Sequence, residues 1–147
     1  MAPIVATTEV DRPAEDVFAY ATDPTRFSEW QQGVVDGRQD RDGPLQVGDR
    51  FVTTRRIGGA NRPAASEVTR VEAPRSWEVR GVDGPIRATV DVTVDALSEA
   101  RSRLTIAIDF QGHGIGKALV PLVVRRQAEK EMPANLETLR QRLETAH

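Results

Sequence analysis

The chain of 147 residues contains no cysteine. That absence removes disulfides, thiol nucleophiles, iron–sulfur clusters and cysteine zinc sites. Histidine is almost as scarce: His113 and His147 are the only two, too few for a histidine metal centre. No cofactor is expected. Charge of one sign is also missing, since 20 Lys and Arg face 22 Asp and Glu for a net charge of −2. Nothing here draws the chain to nucleic acid or anionic lipid in general. The basic pairs Arg55-Arg56 and Arg125-Arg126 lack an aromatic stacking platform, so no nucleic-acid partner is expected. No apolar run approaches about 18 residues, and Met1 to Val10 lacks a basic start followed by an apolar core. Membrane insertion is not expected, and a cytoplasmic location is.

Catalytic signatures are missing as well. Gly-x-Ser-x-Gly does not occur, and a Ser-His-Asp set would depend on His113, which sits between two glycines in a turn. Gly112-His113-Gly114-Ile115-Gly116-Lys117 looks like a phosphate loop, but the positions that need Gly and Ser or Thr hold Gln111 and Ala118. It reads as a flexible strand-to-helix turn. Free N–H groups at the helix start beyond it would offer a place for an anionic ligand group.

What is present describes an ordinary folded chain. Hydrophobic residues make up 39% and charged residues 29%, which fits one domain over residues 1–147, as monomer or homodimer. Ile4 to Val10 alternate as a strand. Asp11 to Asp16 then signal a helix start, with Pro13 suited to the first helical position and Glu15 and Asp16 to its positive end. Asp23-Pro24 repeats the signal, with Asp23 as N-cap of a short helix that carries Phe27 and Trp30 on one face. From Val34 the pattern changes to strands and turns. Strands are expected at Val47 to Ile57, Ala64 to Val71, Trp77 to Val82, Ile86 to Ala96 and Leu104 to Phe110. Turns fall at Asp42-Gly43-Pro44, Gly58 to Asn61, Ala73 to Arg75 and Asp83-Gly84-Pro85. Short connections make this an antiparallel meander with one wet and one covered face.

A helix from Ile115 to about Glu144 follows. Ile115, Ala118, Leu119, Leu122, Val123, Met132, Leu136, Leu139 and Leu143 recur by threes and fours, giving one apolar stripe along roughly 45 Å. A lone helix of that length must bury its stripe on the sheet. The expected fold class is therefore α+β, a helix-grip: a curved antiparallel sheet of about seven strands around a long C-terminal helix, with two short helices after the first strand.

This order of elements resembles the START-like, or SRPBCC, superfamily, and within it the polyketide cyclase/dehydrase and lipid transport family. The residues that carry the resemblance are Val10 to Phe18, Asp23-Pro24 with Phe27 and Trp30, and Val47-Gly48-Asp49-Arg50-Phe51. Glu67 to Pro74 followed by Trp77, and Leu136 to Glu144, complete it. The resemblance implies a hydrophobic pocket for a lipid, polyketide, sterol or other planar molecule. It implies no fixed catalytic set.

The expected site lies between sheet and helix. Charges interrupt the helix stripe near Arg125 or Arg126 and Glu129, either pairing three residues apart or projecting into a polar part of a cavity. On the sheet, Arg55 stands among Phe51, Thr53 and Ile57, reaching the cavity mouth or lying on an edge, with Glu67 and Thr69 as expected cross-strand partners. Aromatic rings pack in cores by default, but Trp30 and Trp77 bring an indole donor along with apolar surface. The expected lining is Trp30, Phe51, Arg55, Glu67 and Trp77, then Val92, Ile108 and Phe110 from later strands. Leu119, Leu122, Arg126 and Glu129 come from the helix. Three functions remain open: a binder of a small hydrophobic or aromatic molecule, a cyclase- or dehydratase-type enzyme using Glu129, Glu67, Arg55 and Arg126, and a protein-interaction module with a filled core.

Overall fold

The computed structural model describes residues 3–57, 59–84, 86–112 and 124–145. Seven strands form one antiparallel sheet: β1 (Ile4–Val10), β2 (Val34–Gln39), β3 (Arg50–Ile57), β4 (Ala60–Glu72), β5 (Ser76–Gly81), β6 (Ile86–Ser98) and β7 (Arg101–Gly112). Their order across the sheet is β1-β7-β6-β5-β4-β3-β2. Consecutive strands from β2 to β7 are neighbours, and β1 closes the far edge against β7. Helix α1 (Ala14–Ala21) and a 3-10 helix (Pro24–Glu29) lie between β1 and β2, and α2 (Arg125–Thr145) ends the described chain. The sheet curls into a half-barrel gripped by α2, the helix-grip of an α+β fold.

Local chemistry explains the small helices. Pro13 stands one place earlier than expected, at the N-cap of α1, where its carbonyl accepts from Asp16 N (3.1 Å) and Val17 N (3.2 Å). Asp23 caps the 3-10 helix as expected, accepting from the Thr25 backbone N at 3.0 Å. The carbonyl of Pro24 lies so close over β2 that a Cβ at Gly37 would sit 1.9 Å from its oxygen. Only glycine admits that approach.

Register decides which side chains face inward. Ile4, Ala6, Thr8 and Val10 of β1 stand opposite Ile108, Ile106, Leu104 and Ser102 of β7. Val90, Val92 and Val94 of β6 join the same face, as do Val79 and Trp77 of β5. Phe51 of β3 stands opposite Ser66, Thr53 opposite Ala64 and Arg55 opposite Arg62. These residues form the concave face. Alternate residues, among them Arg50, Glu67, Glu78 and Arg103, form the convex one.

Helix α2 runs through Pro133 and buries Met132, Asn135, Leu136, Leu139 and Leu143, the C-terminal half of the expected stripe. The expected helix start from Ile115, with Ala118, Leu119, Leu122, Val123 and its anion-holding N–H groups, lies outside the described residues. Strand bounds shift at several ends. Val47 is exposed in a turn before β3, β4 begins at Ala60 rather than Ala64, and β7 runs from Arg101 to Gly112 rather than from Leu104 to Phe110.

Candidate functional site

The concave face divides in two. At one end Val10, Leu104, Ile106, Val92 and Val94 are buried beneath α1 and α2, with Val17, Leu136 and Leu139 packed against them. Leu104 and Leu139 are 0% exposed. At the other end Val90, Ile108, Phe110 and Ala128 pack against this core and stay only partly buried. Ala64, Ser66 and Ala88 on the same face are also half-buried. The inward-facing apolar surface at this end is thus partly accessible.

An aromatic row borders that space. Trp77 stacks on Phe51 (centroids 6.0 Å apart), Phe51 meets Phe27 edge-on (6.1 Å), and Phe27 meets Trp30 edge-on (5.8 Å). The Nε1 atoms of Trp30 and Trp77 are both buried with no hydrogen-bond partner among the described residues. An unmet buried donor costs about 1–3 kcal/mol. Such a group marks a place where a ligand or water supplies the missing acceptor.

Arg55 lies at the open end. Its Nη2 donates to Gln31 Oε1 at 2.9 Å. The side chain is exposed, yet its pKa is held below the usual arginine range, mainly because surrounding atoms strip water from the charge; Glu131 pulls the other way. A charge that a small molecule can reach, yet that the protein desolvates, sits in a concavity and not on a convex surface. Gln31 follows Trp30, and the neighbouring Gln32 N donates to the buried Asn135 Oδ1 at 3.0 Å. That bond ties the loop beside Arg55 to α2.

Of the expected lining residues, Trp30, Phe51, Arg55, Trp77, Ile108 and Phe110 belong to the concave side or its aromatic border, whereas Val92 is sealed in the packed half. Leu119 and Leu122 lie outside the described residues. Glu67 does not join them. It points from the convex face, 3.3 Å from Arg50 Nε, because the register places Arg62 opposite Arg55. Thr69 is displaced too; it sits at a β-bulge and donates to Glu78 Oε1 at 2.7 Å. On α2, Arg126 and Glu129 are exposed, and no ion pair joins them among the described residues. Arg125 and Glu131 are the half-buried charges of this stretch. Gln31, Arg62 and Glu131 belong to this site as well, and the sequence pattern alone does not point to them. The strand register pairs Ile57 with Ala60, and hence Arg55 with Arg62.

A concavity of about 520 Å³ lies outside the grip, among α1, the 3-10 helix and the end of α2. Its lining is mostly charged and mutually paired: Arg12 with Asp16 (2.7 Å), Arg26 with Glu29 (3.2 Å) and Tyr20 OH donating to Glu29 (3.0 Å). It offers little to an apolar molecule. No helix among the described residues is long and apolar enough to cross a membrane.

Residues 1–144 match the family described as polyketide cyclase / dehydrase and lipid transport. The fold is similar to that of the Zhui aromatase/cyclase from Streptomyces sp. R1128, with a TM-score of 0.80 at 15% identity, over 97% of this chain and 93% of that one. It is similar to a START superfamily protein from Mycobacterium smegmatis, with a TM-score of 0.70 at 15% identity, over 98% and 95%. The di-domain ARO/CYC BexL of the BE-7585A biosynthetic pathway gives a TM-score of 0.73 at 15% identity, and this chain spans 47% of its length. These likenesses concern the fold. A comparison with curated protein sequences gives no match.

Proposed function

The chain belongs to the polyketide cyclase / dehydrase and lipid transport family, and from that premise we propose that it binds a small hydrophobic or aromatic molecule on the open half of its concave face. The observation that carries the reading is Arg55, reachable yet desolvated, beside inward apolar residues that the fold leaves partly uncovered. An apolar body gains roughly 25 cal/mol for each Å² it removes from water there. The unmet indole N–H of Trp77, next to that surface, suits a ligand with a carbonyl or hydroxyl oxygen.

Tryptophan fluorescence tests this directly, because the two tryptophans both border the site. Titration with dodecan-1-ol, 2-naphthol and a flavonoid is expected to give a saturable change with at least one of them, weakened in Phe110→Arg. If no probe saturates, the reading is wrong.

A second reading, a cyclase- or dehydratase-type enzyme, is favoured by one feature. Glu131 is a half-buried carboxylate that acts electrostatically on Arg55, so a proton-transferring group and a cation to hold a developing oxyanion stand near one another. In this form the chemistry rests on Arg55 and Glu131, and Glu67 has no part in it. A Glu131→Gln variant that binds a polyketide analogue normally but turns it over no more slowly than the parent would remove this reading.

A further inference from the structure

We propose that the ligand is an anionic amphiphile, its carboxylate or phosphate head held by Arg55 and Arg62 at the mouth of the open half and its apolar body lying along Val90, Ile108 and Phe110. This rests on the reading of that half as a ligand cavity and names the class of molecule it takes.

The argument starts from the hairpin. Arg55 and Arg62 stand directly opposite one another on β3 and β4, on the same concave face. Like charges placed so oppose pairing of the two strands. Some convex-face arginines have carboxylate partners and others, such as Arg56 and Arg80, form no ion pair among the described residues, so it is the direct cross-strand juxtaposition that sets Arg55 and Arg62 apart. Arg50 pairs with Glu67 at 3.3 Å, Arg70 with Asp91 at 2.7 Å and Arg103 with Glu9 at 3.8 Å. Arg55 and Arg62 form no ion pair among the described residues. The one polar side chain that bonds Arg55 there is the neutral Gln31. Glu131 is the carboxylate that Arg55 feels, but it accepts a hydrogen bond from Gln127 Nε2 at 2.7 Å and lies beyond ion-pair distance.

Gln31 occupies Nη2 and thereby orients the guanidinium. The remaining N–H donors match the fork that carboxylates and phosphates accept. Desolvation supplies the rest: an anion brought to a water-poor cation is attracted more strongly than one at an open surface. An apolar strip beside two facing arginines that form no ion pair among the described residues is complementary to a molecule with one charged end.

The test compares dodecanoate, dodecyl phosphate and dodecan-1-ol below their micelle-forming concentrations, read by tryptophan fluorescence and calorimetry. At least one anion is expected to bind ten-fold or more tighter than the alcohol. The double variant Arg55→Gln, Arg62→Gln is expected to erase that margin, bringing the affinity of the anions down to about that of the alcohol. Stronger binding of dodecyl phosphate would identify a phosphate head, and stronger binding of dodecanoate a carboxylate. Alcohol binding as tight as either anion would overturn the anionic head while the cavity stood. If none of the three saturates, the cavity reading itself falls. Inorganic phosphate that displaces dodecanoate at equal concentration would make the arginines a free-ion site and overturn the amphiphile.

Discussion

The two halves of the concave face are built from the same strands and nearly the same residue types, yet they differ in what covers them. Val92, Val94, Leu104 and Ile106 at one end lie beneath α1 and the C-terminal turns of α2, which bring Val17, Leu139 and Leu143 down onto them. Val90, Ile108 and Phe110 continue the same strands toward the other end and stay partly uncovered, with Arg55 at the margin. Hydrophobic pattern alone makes both halves core. Coverage makes one of them core and the other a surface for something else.

The largest expected effect follows from that difference. Leu104→Ala should lose about 2–5 kcal/mol of stability, because a sealed site leaves a cavity behind. Ile108→Ala, at a half-buried position on the same strand, should lose about 1–2 kcal/mol and weaken ligand binding. Urea denaturation of the two variants measures this; equal losses would erase the distinction between the halves.

Tyr20 sharpens the contrast, because it and Arg55 lose water for different reasons. Tyr20 is sealed by packing, and its pKa is pushed up to about 12 by burial first and by its hydrogen bond to Glu29 second. A raised folded value favours the protonated form, so its contribution to stability is whole below about pH 10 and falls as pH climbs from 10 toward 12. It is the only tyrosine in the chain, so tyrosinate absorbance reports it alone. A midpoint near 10 would mean that the packed end is wet at its rim.

Smaller effects mark the seam and the outside. Asn135→Ala removes the acceptor for Gln32 N and should cost about 1 kcal/mol, with the loop that carries Gln31 loosened and Arg55 less well oriented. Paired urea and ligand titrations separate the two consequences. Glu67→Gln breaks an exposed pair with Arg50 and should change stability by less than about 0.5 kcal/mol. Ligand affinity should not move, because Glu67 faces away from the concave side; a clear loss of affinity would put the register in doubt.

Most of the fold was legible because alternation and turn chemistry are local signals. The strand of Ile4 to Val10, the cap at Asp23 and the apolar stripe of Met132, Leu136, Leu139 and Leu143 all follow from period and turn residues. Side-chain direction within the site was less legible, since one residue of register reverses it. Alternation along its own strand points to Arg55, but a β4 start expected at Ala64 instead of Ala60 sets Glu67, rather than Arg62, across from it. Those bounds leave Arg62 outside both the turn and the strand. Gln31 and Glu131 carry no sequence signal of their own; the fold brings them to Arg55 from a loop and a helix distant in the chain.

Methyl-resolved NMR during titration with dodecan-1-ol or dodecanoate, whichever binds more tightly, tests the division of the concave face most directly. Shift changes are expected at Val90 and Ile108, while Val10, Val94 and Leu104 stay in place. Changes confined to the packed end, or to the exposed Val5, Val35 and Val47, would contradict it.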